Sequence, residues 1–344
     1  MNKFFLEDLQ NWLKLKKIPF KKDYEIKYYS WIKAGGIIKN FITPETLNQC
    51  IDLIKFLDEK KTEFYVIGNQ SNIIIRDGYI FTPVINLNKL NNLSIKDNKD
   101  GLDVYCESGV SIPRFSKSII KKGFSGTEGL LGIPGSIGGG ICMNASSYGS
   151  ELTNYLLKVL VINFKGNQFY LEKKDLDLEW RSSIIKKEKF IVIGCYFFLP
   201  KKNFVGIEKT NKSSLKITNH RRIFQENDLP NLGSIFASKN IYEDLSKISF
   251  FYLILYLFYK IFSLYFFNFN RKNLNNFRKY IIKIYLKTLK LDKYEKFTSS
   301  PKTLNCMVNK GSSSSSEAIE FLNNFKKKTH NRLNLENIIL DKIQ

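Results

Sequence analysis

The chain has 344 residues, 43% of them hydrophobic, and a formal net charge of +22, which gives material for two or three domains with real cores. The charge alone suggests a nucleic acid or an anionic membrane as partner, but its distribution argues against nucleic acid. There are 46 lysines against 8 arginines, a bias that A/T-rich coding produces, and no recognition module interleaves basic residues with exposed aromatics.

Five scattered cysteines (Cys50, Cys106, Cys142, Cys195, Cys306) read as structural thiols of a reducing compartment. With only His220 and His330, a histidine-based zinc site or a Ser-His-Asp triad has little to work with, and no metal is expected. The first twenty residues carry Glu7 and Asp8 where an export signal needs its apolar core. They predict a short amphipathic helix instead.

Tyr24 to Ile42 is β-prone and broken by Gly35-Gly36. Thr43-Pro44-Glu45 then opens a helix, with Thr43 as its cap and Leu47, Ile51, Ile54 and Leu57 at helical spacing. Phe64 to Ile67 is a buried-type strand, Gly68 to Asn72 a polar turn, and Ile73 to Ile75 strand again. That turn fits a phosphate held by backbone amides; an ordinary hairpin turn fits the same residues. Val84 to Leu87 is a further strand, and Asn91 to Gly101 a polar hairpin region. Leu102 to Ser108 is a strand running into Gly109. Ile112 to Lys122 is a helix closed by Gly123.

From Gly126 to Glu151 stand eight of the chain's twenty glycines. Each glycine loses more backbone freedom on folding than any other residue. Their clustering around Ile133, Pro134 and Ile137 marks an ordered loop against a flat, anionic, partly apolar ligand, unlike a glycine-serine linker. Strands follow at Leu156–Phe164, Phe169–Leu171 and Phe190–Leu199, with Trp180-Arg181-Ser182-Ser183 before the last. Ile217 to Gln225 starts helical. Asp228 to Ser234 is loop. Leu304 to Val308 is strand-like, Glu317 to Lys328 is a helix and Leu333 to Leu340 a final strand.

Taken together, Lys33-Ala34-Gly35-Gly36, Ile67 to Asn72, Gly126 to Glu151, Trp180 to Ser183 and Gly233-Ser234-Ile235-Phe236 resemble the UDP-N-acetylenolpyruvoylglucosamine reductase family. The likeness is strong from Tyr28 to Phe236 and weaker from Thr303 to Leu340. It implies an α+β protein: a two-subdomain FAD-binding fold of the vanillyl-alcohol-oxidase/PCMH type, followed by a smaller α+β substrate domain. The corresponding divisions are 1–86, 87–202 and 203–344. It implies FAD as cofactor and NADPH as co-substrate, with reduction of an enolpyruvyl sugar nucleotide to UDP-N-acetylmuramate for peptidoglycan. A monomer that binds small molecules and no nucleic acid is expected, in the cytoplasm.

The residues that the resemblance assigns to FAD are Ile67, Gly68, Asn69, Gln70, Ser71, Asn72, Gly109, Gly132, Ile133, Pro134, Gly135, Ser136, Gly138, Gly139 and Asn144. Gln70 stands where the family usually has a glycine, so it must tolerate that backbone shape. Arg181 matches the arginine that steadies negative charge beside the substrate carboxylate. Ser234 matches the proton donor. Arg221 and Arg222 are candidates for a substrate diphosphate. The family's third catalytic group, a glutamate in the last strand, aligns with Ile338. Glu336, two residues earlier, shares that strand face but sits about 6.5 Å away along the strand.

Ile248 to Phe269 is the most hydrophobic window, with Lys260 its only charge. Arg271 to Lys296 then holds nine basic and two acidic residues, net +7. Three readings stay open: contact with the inner membrane surface through 248–296, a buried helix, and a bilayer span. The altered third region also leaves two alternatives to the main function. One is a relative acting on another sugar nucleotide in surface polysaccharide synthesis. The other is a membrane-associated flavin binder without this activity.

Overall fold

The computed structural model describes residues 3–269 and 271–340. Helix α1 (Lys3–Leu15) buries Leu9 and Leu13 in a first core. Strand β1 (Phe20–Glu25) pairs antiparallel with β2 (Ile37–Ile42). Helix α2 (Leu47–Glu59) starts later than Thr43-Pro44 suggests: Thr46 is the cap, its side chain accepting from the Gln49 amide. Thr43 lies before the helix, its amide bonded to the Pro19 carbonyl. Strands β3 (Tyr65–Ile67), β4 (Ile73–Ile75), β5 (Tyr79–Ile80) and β6 (Val84–Asn86) follow. The first sheet runs β1-β2-β6-β3, with β5 also beside β2. β4 is not in it, so Gly68–Asn72 is no hairpin turn.

The second sheet is antiparallel throughout, in the order β12-β11-β13-β8-β7. It starts with the hairpin β7 (Leu93–Asn98) and β8 (Gly101–Glu107). Between that hairpin and the other three strands lie α3 (Ile112–Lys121), a 3-10 turn over Glu128–Gly132, α4 (Ile137–Cys142) and the small hairpin β9 (Ser146–Ser147) with β10 (Ser150–Glu151). β11 (Leu156–Ile162), β12 (Gln168–Glu172), α5 (Ile184–Lys187) and β13 (Ile191–Pro200) complete the unit. Its core centres on Phe115, Val159 and Phe197.

Helix α6 (Ile207–Phe224) is twice the length read from sequence, because its first half carries few apolar residues to announce it. β14 (Asn231–Ser234), α7 (Ile241–Ser246), α8 (Phe250–Phe269), α9 (Arg271–Thr288), β15 (Phe297–Ser299), β16 (Cys306–Asn309) and α10 (Ser316–Lys328) form a third unit. Its sheet runs β14-β16-β15, and its core is built on Tyr285, Phe321 and Phe325. Among the described residues no helix is long and apolar enough to cross a membrane, which overturns the bilayer-span reading. Four tyrosines and Lys260 keep α8 below that mark. Leu255 and the partly buried Tyr252, Tyr256 and Tyr259 belong to the core, while the other face is exposed.

Two features tie this unit to the first. Asp77 accepts from the Ser315 and Ser316 amides and from the Ser314 and Ser316 hydroxyls, capping α10 across 239 residues of sequence. The expected strand Leu333–Leu340 shrinks to β17 (Ile338–Leu340), which pairs parallel with β4. Residues just before it are diverted: Leu335 bridges to Phe236, and the Glu336 amide donates to the Ile235 carbonyl.

Candidate active site

A cleft of about 1600 Å³ opens where the three units meet. One wall is the turn Gly68–Asn72, between β3 and β4. Ile67 and all five turn residues line it. Gln70 takes φ +57, the left-handed shape the alignment demanded, at a cost on the order of 1 kcal/mol. A left-handed residue inside a turn is one way in which successive amides are brought to face a common anion. Among the described residues the amides from Gly68 to Asn72 donate to no backbone carbonyl. Asn69 fixes the turn to the opposite wall by donating to the Pro134 carbonyl.

That opposite wall is Gly132 to Gly140. The glycines there serve two different ends. A Cβ on Gly68 would meet Ser136 Oγ at 2.2 Å, on Gly138 Ser108 Cβ at 2.8 Å, and on Gly132 the Arg221 guanidinium at 2.4 Å. These are bare so that protein can pack on protein. At Gly139 a Cβ would meet only Ser136 Oγ, at 3.5 Å, and at Gly135 the nearest atom is Ile112 Cδ1 at 3.3 Å. These two present bare backbone to the cleft. Ile133, Pro134 and Ser136 line it as well.

On the third side stand Arg181, Ser234, Glu336 and Ile338. Arg181 has φ +58 and lies over the Trp180 ring, 4.7 Å from its centroid. Its Nη atoms donate to Ser146 Oγ and O at 3.3 Å. Its Nε lies 3.0 Å from Glu336 Oε1, both side chains being under a fifth exposed (17% and 16%). The Nε–H does not point along that contact, so the pair is ionic without an aligned hydrogen bond. Burial raises the Glu336 carboxyl above the usual glutamate range, and Arg181 only partly offsets this. Ser234 follows Gly233 (φ +71), and its carbonyl accepts from Asn337 Nδ2.

Glu336 was legible as a neighbour of the expected position but not as a partner of Arg181. An extended strand put it too far away. The chain instead leaves the strand: the Glu336 amide bonds Ile235 beside Ser234, and its carbonyl accepts from Asn72 Nδ2. Three sequence-distant pieces thereby meet at one residue: Ile235 and Asn72 at its backbone, and Arg181 at its carboxylate. Lys239 and Ser108 are further cleft-side residues the sequence did not single out. Trp180 Nε1 donates to the Ala237 carbonyl and Lys239 lies over its ring.

Several candidates lie elsewhere. Gly109 is off the cleft; its missing Cβ makes room for the Leu87 and Leu90 carbonyls. Asn144 (φ +43) is also off the cleft and holds the Glu179 carbonyl and Thr153 hydroxyl, bracing the loop that carries Arg181. Arg222 is exposed and does not line the cleft. Arg221 does, but it is buried. Nη1 donates to the Gly132 carbonyl and Gln225, and Nη2 to the Gly129 carbonyl and Ser147. It clamps the glycine loop from α6.

The residues fit FAD. The turn amides suit a pyrophosphate, Gln70 Oε1 and Ser108 Oγ are buried without partners, and Gly135 and Gly139 leave room for a flat ring system.

The FAD binding domain family profile matches residues 38–171. A UDP-N-acetylenolpyruvoylglucosamine reductase of Clostridium novyi is 32% identical over 222 residues, covering 64% of this chain and 70% of the relative. That of Petrotoga mobilis is 32% identical over 232 residues, covering 67% and 75%. The solved reductase of Thermus caldophilus superposes with a TM-score of 0.64 over 94% of this chain and 98% of its own, at 18% identity, which bears on fold alone. The fold is the expected α+β, FAD-binding one of the vanillyl-alcohol-oxidase/PCMH type. With a 32% likeness spanning three quarters of a relative, the chain belongs to the UDP-N-acetylenolpyruvoylglucosamine reductase family.

Proposed function

We propose that this protein is an FAD-dependent reductase that uses NADPH to convert UDP-N-acetylglucosamine enolpyruvate to UDP-N-acetylmuramate in peptidoglycan synthesis. The observation that carries it is the convergence of Arg181, Ser234 and Glu336 on the cleft walled by Gly68–Asn72 and Gly132–Gly139. FAD, when bound, supplies the hydride that NADPH provides. Gly68 to Asn72 would hold the pyrophosphate, with the Gly132–Gly139 wall against the ring system. Arg181 is a permanent cation with a planar fork; it holds the substrate carboxylate and the negative charge that develops beside it. Ser234 delivers the proton to the adjacent carbon. Glu336 orients Arg181 through their contact.

The units 1–86, 87–202 and 203–344 belong to the same reading: the first two clamp FAD and the third closes over substrate. So do a monomeric state, a cytoplasmic location and peripheral contact with the membrane surface through 248–296. The exposed apolar face of α8 supports that contact.

The test is spectroscopic. The purified protein should be yellow, bleach with NADPH, and regain colour with enolpyruvyl-UDP-N-acetylglucosamine. Arg181→Ala and Ser234→Ala should bleach normally and regain colour at least about a hundredfold more slowly. Full activity in both variants would sink the assignment. Ile338 at the cleft favours one competing reading, a different sugar nucleotide. Bleaching that only another such substrate reverses would establish it.

A further inference from the structure

Helix α8 is apolar on both sides, yet only one side is covered. Tyr252, Leu255, Tyr256 and Tyr259 pack with Tyr285 in the third core. Opposite them, Phe250, Ile254, Leu257, Ile261, Leu264 and Tyr265 are 48–76% exposed. At 3.6 residues per turn, these six fall within about 100° of arc. From Phe250 to Tyr265, at the helical rise per residue, the stripe runs about 24 Å. Soluble monomers rarely leave so long an apolar surface without a partner.

We infer that α8 is a docking face for an anionic phospholipid bilayer, lying flat along the interface with this stripe against the acyl boundary. The occupant is chosen by charge. Lys260, the one charge on the helix, sits at the edge of the stripe, where a long stem can carry its ammonium to the headgroups. Helix α9 packs beside α8 through Phe277, against Phe258, Tyr259, Phe262 and Phe266. Lys279, Lys283 and Lys287 form an exposed row on α9 at four-residue spacing, and among the described residues no ion pair holds them. Anionic headgroups complement that row. A second copy of the chain would bring the same basic row against it, which like-charge repulsion opposes. Phe and Tyr in the stripe suit the headgroup boundary better than a hydrocarbon interior. This docking rests on the membrane contact proposed above and is independent of the chemistry in the cleft.

The full chain, carrying its flavin, is floated with vesicles of phosphatidylglycerol and phosphatidylcholine, and separately with pure phosphatidylcholine. Flotation is expected with the anionic vesicles alone and lost at high salt. Lys279→Gln, Lys283→Gln and Lys287→Gln together should weaken it on the order of a hundredfold. Ile254→Glu with Ile261→Glu should abolish it while circular dichroism and NADPH bleaching stay unchanged. Ile261→Ser serves as a milder variant should the double glutamate fail to fold. The inference is overturned if the protein stays down with anionic vesicles, or if neutral vesicles float it equally well. A lipid-free dimer that Ile254→Glu with Ile261→Glu dissolves also overturns it, by making a second copy the occupant. Flotation without bleaching would count against the reductase reading alone.

Discussion

The glycine loop and helix α8 are the two most biased stretches of the chain, and they are biased for opposite reasons. In the loop, composition answers to what presses in from outside the segment: Arg221 against Gly132, Ser136 against Gly68, and open cleft over Gly139. In α8, one face answers to the core and the other stands exposed. The loop's constraint can be traced residue by residue, whereas α8 buries one face and exposes the other. Composition alone marks a segment as unusual; which side carries the constraint appears only with neighbours in place.

Arg221→Ala tests the first half of that contrast hardest. It would strand the Gly129 and Gly132 carbonyls, and a loss of about 3 kcal/mol is expected in chemical denaturation. Unchanged stability with a raised KM would return Arg221 to substrate binding. On α8, Leu255→Ala should cost about 2–3 kcal/mol, because Leu255 is 8% exposed, and Ile261→Ala, at 65%, should stay within about 0.5 kcal/mol. Equal costs for the two would erase the two-faced description.

The link between units is smaller. Asp77→Asn should lose about 1–2 kcal/mol. Burial pushes the Asp77 carboxyl up, but hydrogen bonds from Ser314, Ser316 and Ser315 outweigh it and leave it below its usual range. A depressed folded value means stability is fully present above the unfolded value of about 3.9 and is lost as pH falls below it. The acid limb of a pH melt should therefore flatten in the variant. Smallest in stability is Gly139→Ala, within about 0.5 kcal/mol of wild type. Flavin affinity should nevertheless drop at least about tenfold by fluorescence titration, since the methyl enters the cleft. An unchanged affinity would place the ring system elsewhere.

What could be read from residues alone follows the reach of each signal. Helices α2, α3 and α10 announced themselves through apolar spacing. The Gly68–Asn72 turn was visible, but the hairpin reading stayed open beside the phosphate one, because β4 pairs with β17 and local sequence carries no trace of so distant a partner. Arg181 and Ser234 came with motifs and both reach the cleft. Arg221 has the same chemistry as a diphosphate ligand, and only its four acceptors reveal a clamp. Glu336 was misjudged by strand geometry that the chain abandons before β17.

The β4–β17 pairing also sets an order of events during synthesis. Asn72 waits for Glu336, 264 residues away, and at ribosomal speed that gap lasts on the order of 15–50 s. Until then the nascent chain exposes a strand edge. The wall that carries Gly68–Asn72 is thereby completed only with the third unit, and a product cut short before Ile338 would lack the strand that pairs with β4.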